Sequence, residues 1–179
     1  MPRSTGSASG PRRAASARNP PLGFYGYTAG DVMSKPAVTI GPGETLKSAA
    51  AVMSRRGVSG LPVVDAKKGL VGVLSQKDIL RVLHDEAGLA LPAGLFDLLL
   101  DADEARRSDL LPSCRAVLSK TRVHDAMSAP AISIESGATI DAAVRLMVEH
   151  RINRLPVLRR GKVAGIVTRH DLLTQMGQS

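Results

Sequence analysis

Two short stretches carry the residues best suited to chemistry: GVLSQKDIL, from Gly72 to Leu80, and GIVTRHDLL, from Gly165 to Leu173. Each sets a hydroxyl and a carboxylate three residues apart, Ser75 with Asp78 and Thr168 with Asp171, where an apolar run gives way to a helical pattern. Two chemistries fit that spacing. In a capping box the hydroxyl serves a backbone N–H one turn on and the acid reaches back, contributing about 1 kcal/mol per cap. A helix start also presents free N–H groups and the positive end of its dipole, a seat for a phosphate. There the hydroxyl can donate to a phosphate oxygen and the carboxylate can accept from both hydroxyls of a ribose. Each such charge-assisted bond contributes roughly 1.5–3 kcal/mol. The motif alone leaves both readings open.

The elements that must hold these residues come as a repeat. The stretch DVMSKPAVTIGPGETLKSAAAVMSRRGVSGLPVV, from Asp31, overlays DAMSAPAISIESGATIDAAVRLMVEHRINRLPVL, from Asp125, at an offset of 94 (125 − 31) without a gap. One residue is then missing from the second copy, and Gly72 and Asp78 fall on Gly165 and Asp171. A repeat this long marks a duplicated supersecondary unit. In each copy Val38-Thr39-Ile40 or Ile132-Ser133-Ile134 alternates as a short strand. Thr45 and Thr139 are placed to N-cap helices, with apolar faces Leu46, Ala49, Ala50, Met53 and Ile140, Ala143, Val144, Met147; Gly57 suits a helix end. Strands are predicted at 61–64 and 155–158, then at 70–74 and 163–167, after turns at Lys67-Lys68-Gly69 and Arg160-Gly161. Last helices start near Ser75 and Thr168. The predicted order is β-α-β-β-α twice: an α+β fold whose two units bury their sheets against each other about a pseudo-twofold axis.

In order and twice, the D-x-M-S-x-P-A lead-in, the L-P-V strand and G-[VI]-[LV]-[ST]-x-x-D resemble the CBS domain, which occurs in tandem pairs called Bateman modules. The resemblance spans residues 27–84 and 121–177. It implies a regulatory module whose ligand contains adenosine, as AMP, ADP, ATP or S-adenosylmethionine, with no other cofactor required. By the same resemblance Thr168 and Asp171 hold phosphate and ribose. Ser133, Ile152, Arg154 and Pro156 line the base pocket and its mouth, and Ile134 and Ile152 sandwich the adenine. Thr39, Val58, Ser75 and Asp78 are the first copy's counterparts. Arg154, with Arg151, Arg169 and His170 near it in sequence, matches Gly60 of the first copy, so the second-copy site is expected to bind more tightly. Similarity to free-standing pairs implies a homodimer of disc-like modules. With no effector domain after the second copy, regulation is expected to act in trans on a partner protein. The rival expectation is a ligand-free interaction protein that uses the pair to dimerise.

Composition narrows the remaining classes. Of the 179 residues, 44% are apolar and only 2% aromatic, so a core of ordinary size must be aliphatic. No apolar run approaches the ~20 residues of a membrane span. The single cysteine, Cys114, excludes an intrachain disulfide and a multi-cysteine zinc cluster, and fits a reducing compartment. His84, His124, His150 and His170 lack metal-ligand spacing. The net charge of +8 draws on Arg3, Arg12, Arg13 and Arg18, in a stretch with no acid before Asp31. Residues 1–24, rich in Ser, Ala, Gly and Pro, are expected to be a disordered basic tail of a cytoplasmic protein, or the transit peptide of an organellar one. Phe24, Tyr25 and Tyr27 are expected to fold back over the first repeat. Aromatic and basic residues do not interleave as in RNA-binding surfaces, so nucleic acid is not an expected partner. The expected map is a first unit at 25–84, a helical insert at 85–120 and a second unit at 121–179. Insert helices are predicted at 93–102 and 111–120, covering the module's own edge or meeting a partner. With no G-x-S-x-G, no P-loop and no clustered carboxylates, catalysis is not expected.

Overall fold

In each repeat a threonine starts a helix over a hairpin. The computed structural model describes residues 26–87 and 111–176; the expected tail and the helix predicted at 93–102 lie outside the described residues. Thr45 Oγ1 accepts from Ser48 N at 3.1 Å and Thr139 Oγ1 from Ala142 N at 3.3 Å. These caps begin α2 (Leu46–Arg56) and α6 (Ile140–Glu149) by satisfying N–H groups that have no intrahelical partner. The hairpins pair β1 (Gly60–Asp65) with β2 (Gly69–Ser75), and β4 (Arg154–Arg159) with β5 (Lys162–Thr168). Their turns differ by the residue the second copy lacks. Asp65 Oδ1 accepts from Lys67 N and Lys68 N at 2.8 and 2.9 Å. Arg160 and Gly161 instead make a tight turn with φ of 51° and 73°, the conformation that suits a two-residue hairpin. The helices α3 (Gln76–Ala87) and α7 (Arg169–Met176) close the units. The first strand of each unit is shorter than predicted. It shrinks to a single parallel bridge, Ile40 to Val63, in the first unit, and to β3 (Ile134–Glu135) in the second. Gly41-Pro42-Gly43 and Ser136-Gly137 turn the chain away directly afterwards.

The lead-ins cross between the units. Short helices α1 (Ala29–Val32) and α5 (Val123–Ala126) open the two repeats. Ser34 then exchanges backbone hydrogen bonds of 2.9 and 3.1 Å with Ile166 of β5, and Ser128 does the same with Val73 of β2 at 2.9 and 3.0 Å. Thr28 pairs with Thr139, and Thr45 with Arg122. Each of these pairs maps onto its fellow by the repeat offset, which is the reciprocity a twofold interface requires. Ala29 and Met33 are buried in the second unit's core beside Ile140, Met147 and Leu155. Val123 and Ala126 are buried in the first unit's core with Leu46, Met53 and Leu61. There are two cores, each closed by the other repeat's opening residues, and between them the two sheets meet as expected, β2 against β5.

The motif glycines mark the crossing. A Cβ on Gly165 would lie 2.8 Å from both Met33 Cγ and Ser34 O; on Gly72 it would lie 3.0 Å from Met127 Cγ and Ser128 O. The M-S of one repeat and the G of the other are thus a single contact.

The insert supplies α4 (Leu111–Lys120), which packs on α2 and α3 and buries Cys114 and Val117 in the first core. Thr121, also buried, is satisfied: its Oγ1 donates to Val117 O at 2.8 Å and its carbonyl accepts from Leu46 N at 3.0 Å. The cover changes the apolar face of α2 relative to α6. Ala50 is buried, whereas its counterpart Val144 is exposed, Val148 is 69% exposed and Leu173 of α7 is 65% exposed. Of the aromatics expected to fold back over the first repeat, Tyr27 is half exposed, and Phe24 and Tyr25 lie outside the described residues. Among the described residues no helix is long and apolar enough to cross a membrane.

Candidate functional site

Both capping boxes form completely. Ser75 N and Oγ donate to Asp78 Oδ2 at 2.9 and 2.5 Å, and Asp78 N donates to Ser75 Oγ at 3.3 Å. Thr168 and Asp171 repeat the pattern at 2.8, 2.7 and 3.2 Å. Each cap uses only Oδ2. Among the described residues Asp171 Oδ1 has no hydrogen-bond partner, and Asp78 Oδ1 has only Arg81 Nη2 at 3.5 Å. A carboxylate oxygen has two lone pairs to offer, so finishing the helix and receiving a diol are compatible in the same side chain.

Each motif faces a cleft whose opposite wall comes from the other repeat. The first cleft, about 480 Å³, sets Ser75, Lys77 and Asp78 against Ala131, Ile132 and Ile152. The second, about 600 Å³, sets Thr168, Arg169 and Asp171 against Ala37, Val38 and Val58. Both volumes suit a small organic ligand. The exchange follows from the crossed lead-ins. Ser34 is pinned to Ile166, so residues 36–38 arrive beside Thr168; Ser128 is pinned to Val73, so residues 130–132 arrive beside Ser75.

The candidate residues are redistributed accordingly. Thr168, Arg169 and Asp171 share the second cleft, joined by Val58 of the first repeat, while Ile152 lies in the first cleft with Ser75 and Asp78. The sandwich expected of Ile134 and Ile152 does not form, because Ile134 is buried in the second core. Pro156 is buried within β4, opposite Ile166 of β5. Ser133 borders neither cleft, and Thr39 borders a separate hollow over α2. Strand alternation explains both: Val38 shares a face with Ile40, and Ile132 with Ile134, so the residue between them points the other way. Val38 and Ile132 are the wall residues missed, and that alternation was the signal for them. Arg151 lines the first cleft, not the one with Arg169 and His170.

Arg154 borders both clefts. Its Nη2 donates to Ser59 Oγ at 3.0 Å. Its guanidinium lies over Gly60, in space that a Cβ there would occupy. Nη1 is buried with no hydrogen-bond partner. Burial pushes the Arg154 pKa down, and nearby Asp78 opposes that. A buried donor left unsatisfied costs about 1–3 kcal/mol, which an anion in either cleft would relieve. No group of three or more His, Cys, Asp and Glu side chains suited to a metal occurs among the described residues.

The CBS domain family matches residues 29–85 and 123–177, most of the described chain. The chain belongs to the CBS domain family. Its tandem CBS pair is 31% identical over 147 residues to an uncharacterised protein of Methanocaldococcus jannaschii, covering 80% of this chain and 87% of the other. It is 29% identical over 154 residues to CBSX2, a chloroplastic CBS domain-containing protein of Arabidopsis thaliana, covering 83% of this chain and 63% of CBSX2. Among solved structures, the CBS domain of a CBS domain-containing membrane protein from Sphaerobacter thermophilus superposes with a TM-score of 0.66 at 26% identity, covering 83% of this chain and 87% of that one. CBSX2 in complex with AMP superposes with a TM-score of 0.63 at 26% identity, covering 86% and 98%.

Proposed function

We propose that this CBS pair is a non-catalytic regulatory module that takes an adenosine-containing ligand, foremost an adenine nucleotide, in its two clefts. The observation that carries this reading is the meeting, in each cleft, of a hydroxyl–carboxylate helix start with aliphatic walls and with Arg154. The walls accept a flat apolar base, the Oδ1 atoms accept ribose hydroxyls, and the unpartnered Arg154 Nη1 seeks an anion. The binding of AMP by CBSX2 supports the same ligand class.

Because each cleft is built from both repeats, a ligand bridges them, and its binding shifts their relative orientation. A separate effector protein reads that shift in trans. Such coupling is typically about 1–3 kcal/mol and reciprocal, so the effector also tightens the ligand. The uncovered apolar face of α6 and α7, with Val144, Val148 and Leu173, is the surface on which two modules form a homodimer.

Calorimetry with AMP, ADP, ATP and S-adenosylmethionine on the wild type, Asp78→Ala and Asp171→Ala tests the ligand. Each variant is expected to lose binding in its own cleft. Unchanged affinity in both would show that the aspartates serve only as caps, and would leave the pair as a ligand-free interaction protein.

A further inference from the structure

We propose that Arg151 makes the first cleft select by phosphate number, favouring a nucleoside di- or triphosphate over the monophosphate, while the second cleft, with Gly57 at the matching place, does not. This rests on nucleotide binding as proposed above, and adds to it which cleft takes which nucleotide.

Gly57 and Arg151 are the same position of the repeat, just past the helix over the hairpin. Both are left-handed, with φ of 62° and 53°. For Gly57 that conformation carries no steric penalty, and a glycine there is a common helix end. At Arg151 the Cβ crowds the backbone. Crowding at Gly57 does not account for the difference, since a Cβ built there meets nothing within 4 Å. A non-glycine residue held left-handed, where the matching place takes a glycine, points to use.

The use is indicated by where the side chain falls. Arg151 lines the first cleft with Lys77, Arg154 and Asp78. Of the other cations there, Arg81 is committed to Asp78 Oδ1 and to the Ala126 carbonyl, at 3.5 and 3.1 Å. Arg154 is common to both clefts and so cannot distinguish them. Arg151 against Gly57 can, as can Lys77 against His170, while Arg169 against Gln76 returns one cation to the second cleft. In the first cleft Arg151 adds a fixed positive charge beyond those needed to balance Asp78 and one phosphate. Each further phosphate of the ligand adds negative charge for it to meet.

The test is calorimetric titration of ATP and AMP into Arg151→Gly and its parent, both carrying Asp171→Ala to silence the second cleft. The preference for ATP over AMP is expected to fall at least tenfold in Arg151→Gly. Its nucleotide-free melting temperature is expected to hold or to rise by a few degrees as the left-handed strain is relieved. An unchanged ATP-to-AMP ratio overturns the inference. So does a clear fall in melting temperature, which would make Arg151 a structural residue. The reciprocal variant, Gly57→Arg with Asp78→Ala, is expected to gain ATP preference in the second cleft. Binding of neither nucleotide by the protein without these substitutions would overturn the proposed function itself. Binding of both with an indifferent Arg151 would overturn only the present inference.

Discussion

Arg154 of the second repeat lies on Gly60 of the first, the residue that occupies its own place in the duplicated unit. Two arginines cannot share that space, so the pair breaks its symmetry and one guanidinium serves both clefts. Its Nη1 is buried without a partner, a cost to the ligand-free protein. Arg154→Met, which keeps the bulk and removes the charge, is expected to leave nucleotide-free stability unchanged or raised by about 1 kcal/mol in urea unfolding. The same variant is expected to weaken nucleotide binding in both clefts. A loss confined to one cleft contradicts the shared role.

The crossing at the motif glycines makes a second prediction. Gly72→Ala and Gly165→Ala each drive a methyl group against a methionine and a backbone carbonyl. Over-packing of this kind costs typically 1–3 kcal/mol. Gly165 is the tighter site, at 2.8 Å from Ser34 O against 3.0 Å from Ser128 O for Gly72, so its variant is expected to suffer more. Shortening the methionine in Gly72→Ala/Met127→Ala cannot restore full stability, because the Ser128 carbonyl remains. Denaturant midpoints decide the order.

Asp78 and Asp171 finish helices whether or not a ligand is present. Alanine at either is expected to cost about 1 kcal/mol in the ligand-free protein. A helix-capping role alone leaves ligand-induced thermal stabilisation intact at the other motif and at the altered one. The reading given above requires it to vanish at the altered one, and a differential scan with AMP separates the two.

Acid stability has a defined sign. Asp31 is held below the usual carboxylate range by the Thr28 hydroxyl and then the Thr28 backbone N–H; Asp65 is held there by the N–H groups of Lys68 and Lys67. A carboxylate whose native pKa is depressed contributes stability in full above its unfolded value, about 3.9, and loses it as pH falls through the lower native value. From these two groups, urea midpoints are expected to be flat down to about pH 5 and to drop below about pH 4, with Thr28→Val reducing the drop. A midpoint that climbs on acidification below about pH 4 would refute this.

Cys114 reports on α4. The thiol is buried against the first core, and burial pushes its pKa up, so little thiolate forms near neutral pH. Labelling by a disulfide reagent is expected to be slow in the native protein and to accelerate in step with unfolding. Rapid native labelling would mean that α4 detaches from α2 and α3.

Much of this architecture was legible from local pattern. Thr45 and Thr139 cap where apolar spacing of three and four residues begins, and the hairpin turns sit at Lys67-Lys68-Gly69 and Arg160-Gly161, because caps and turns are settled by residues within one turn of each other. The crossed lead-ins were not legible. Met33 meets Gly165 across more than a hundred residues of chain, and no periodicity reports a contact of that range. The crossing moves the site: sharing a repeat groups Ile152 and Arg151 with Thr168, while the chain crossing hands them to Ser75 and Asp78. Ser133 and Thr39 differ from the wall residues Ile132 and Val38 by strand parity, which counting in twos from Ile134 and Ile40 makes legible.

The borrowed opening residues bear on how such a protein can arise. A lone repeat of this kind lacks the methionine that would seal its hydrophobic interior, and only a twin can lend one. A chain of half this length could close its interior in this way only as two interlocked molecules. Joining the repeats in one chain lets them differ at matching places, as they do at Gly60 and Arg154.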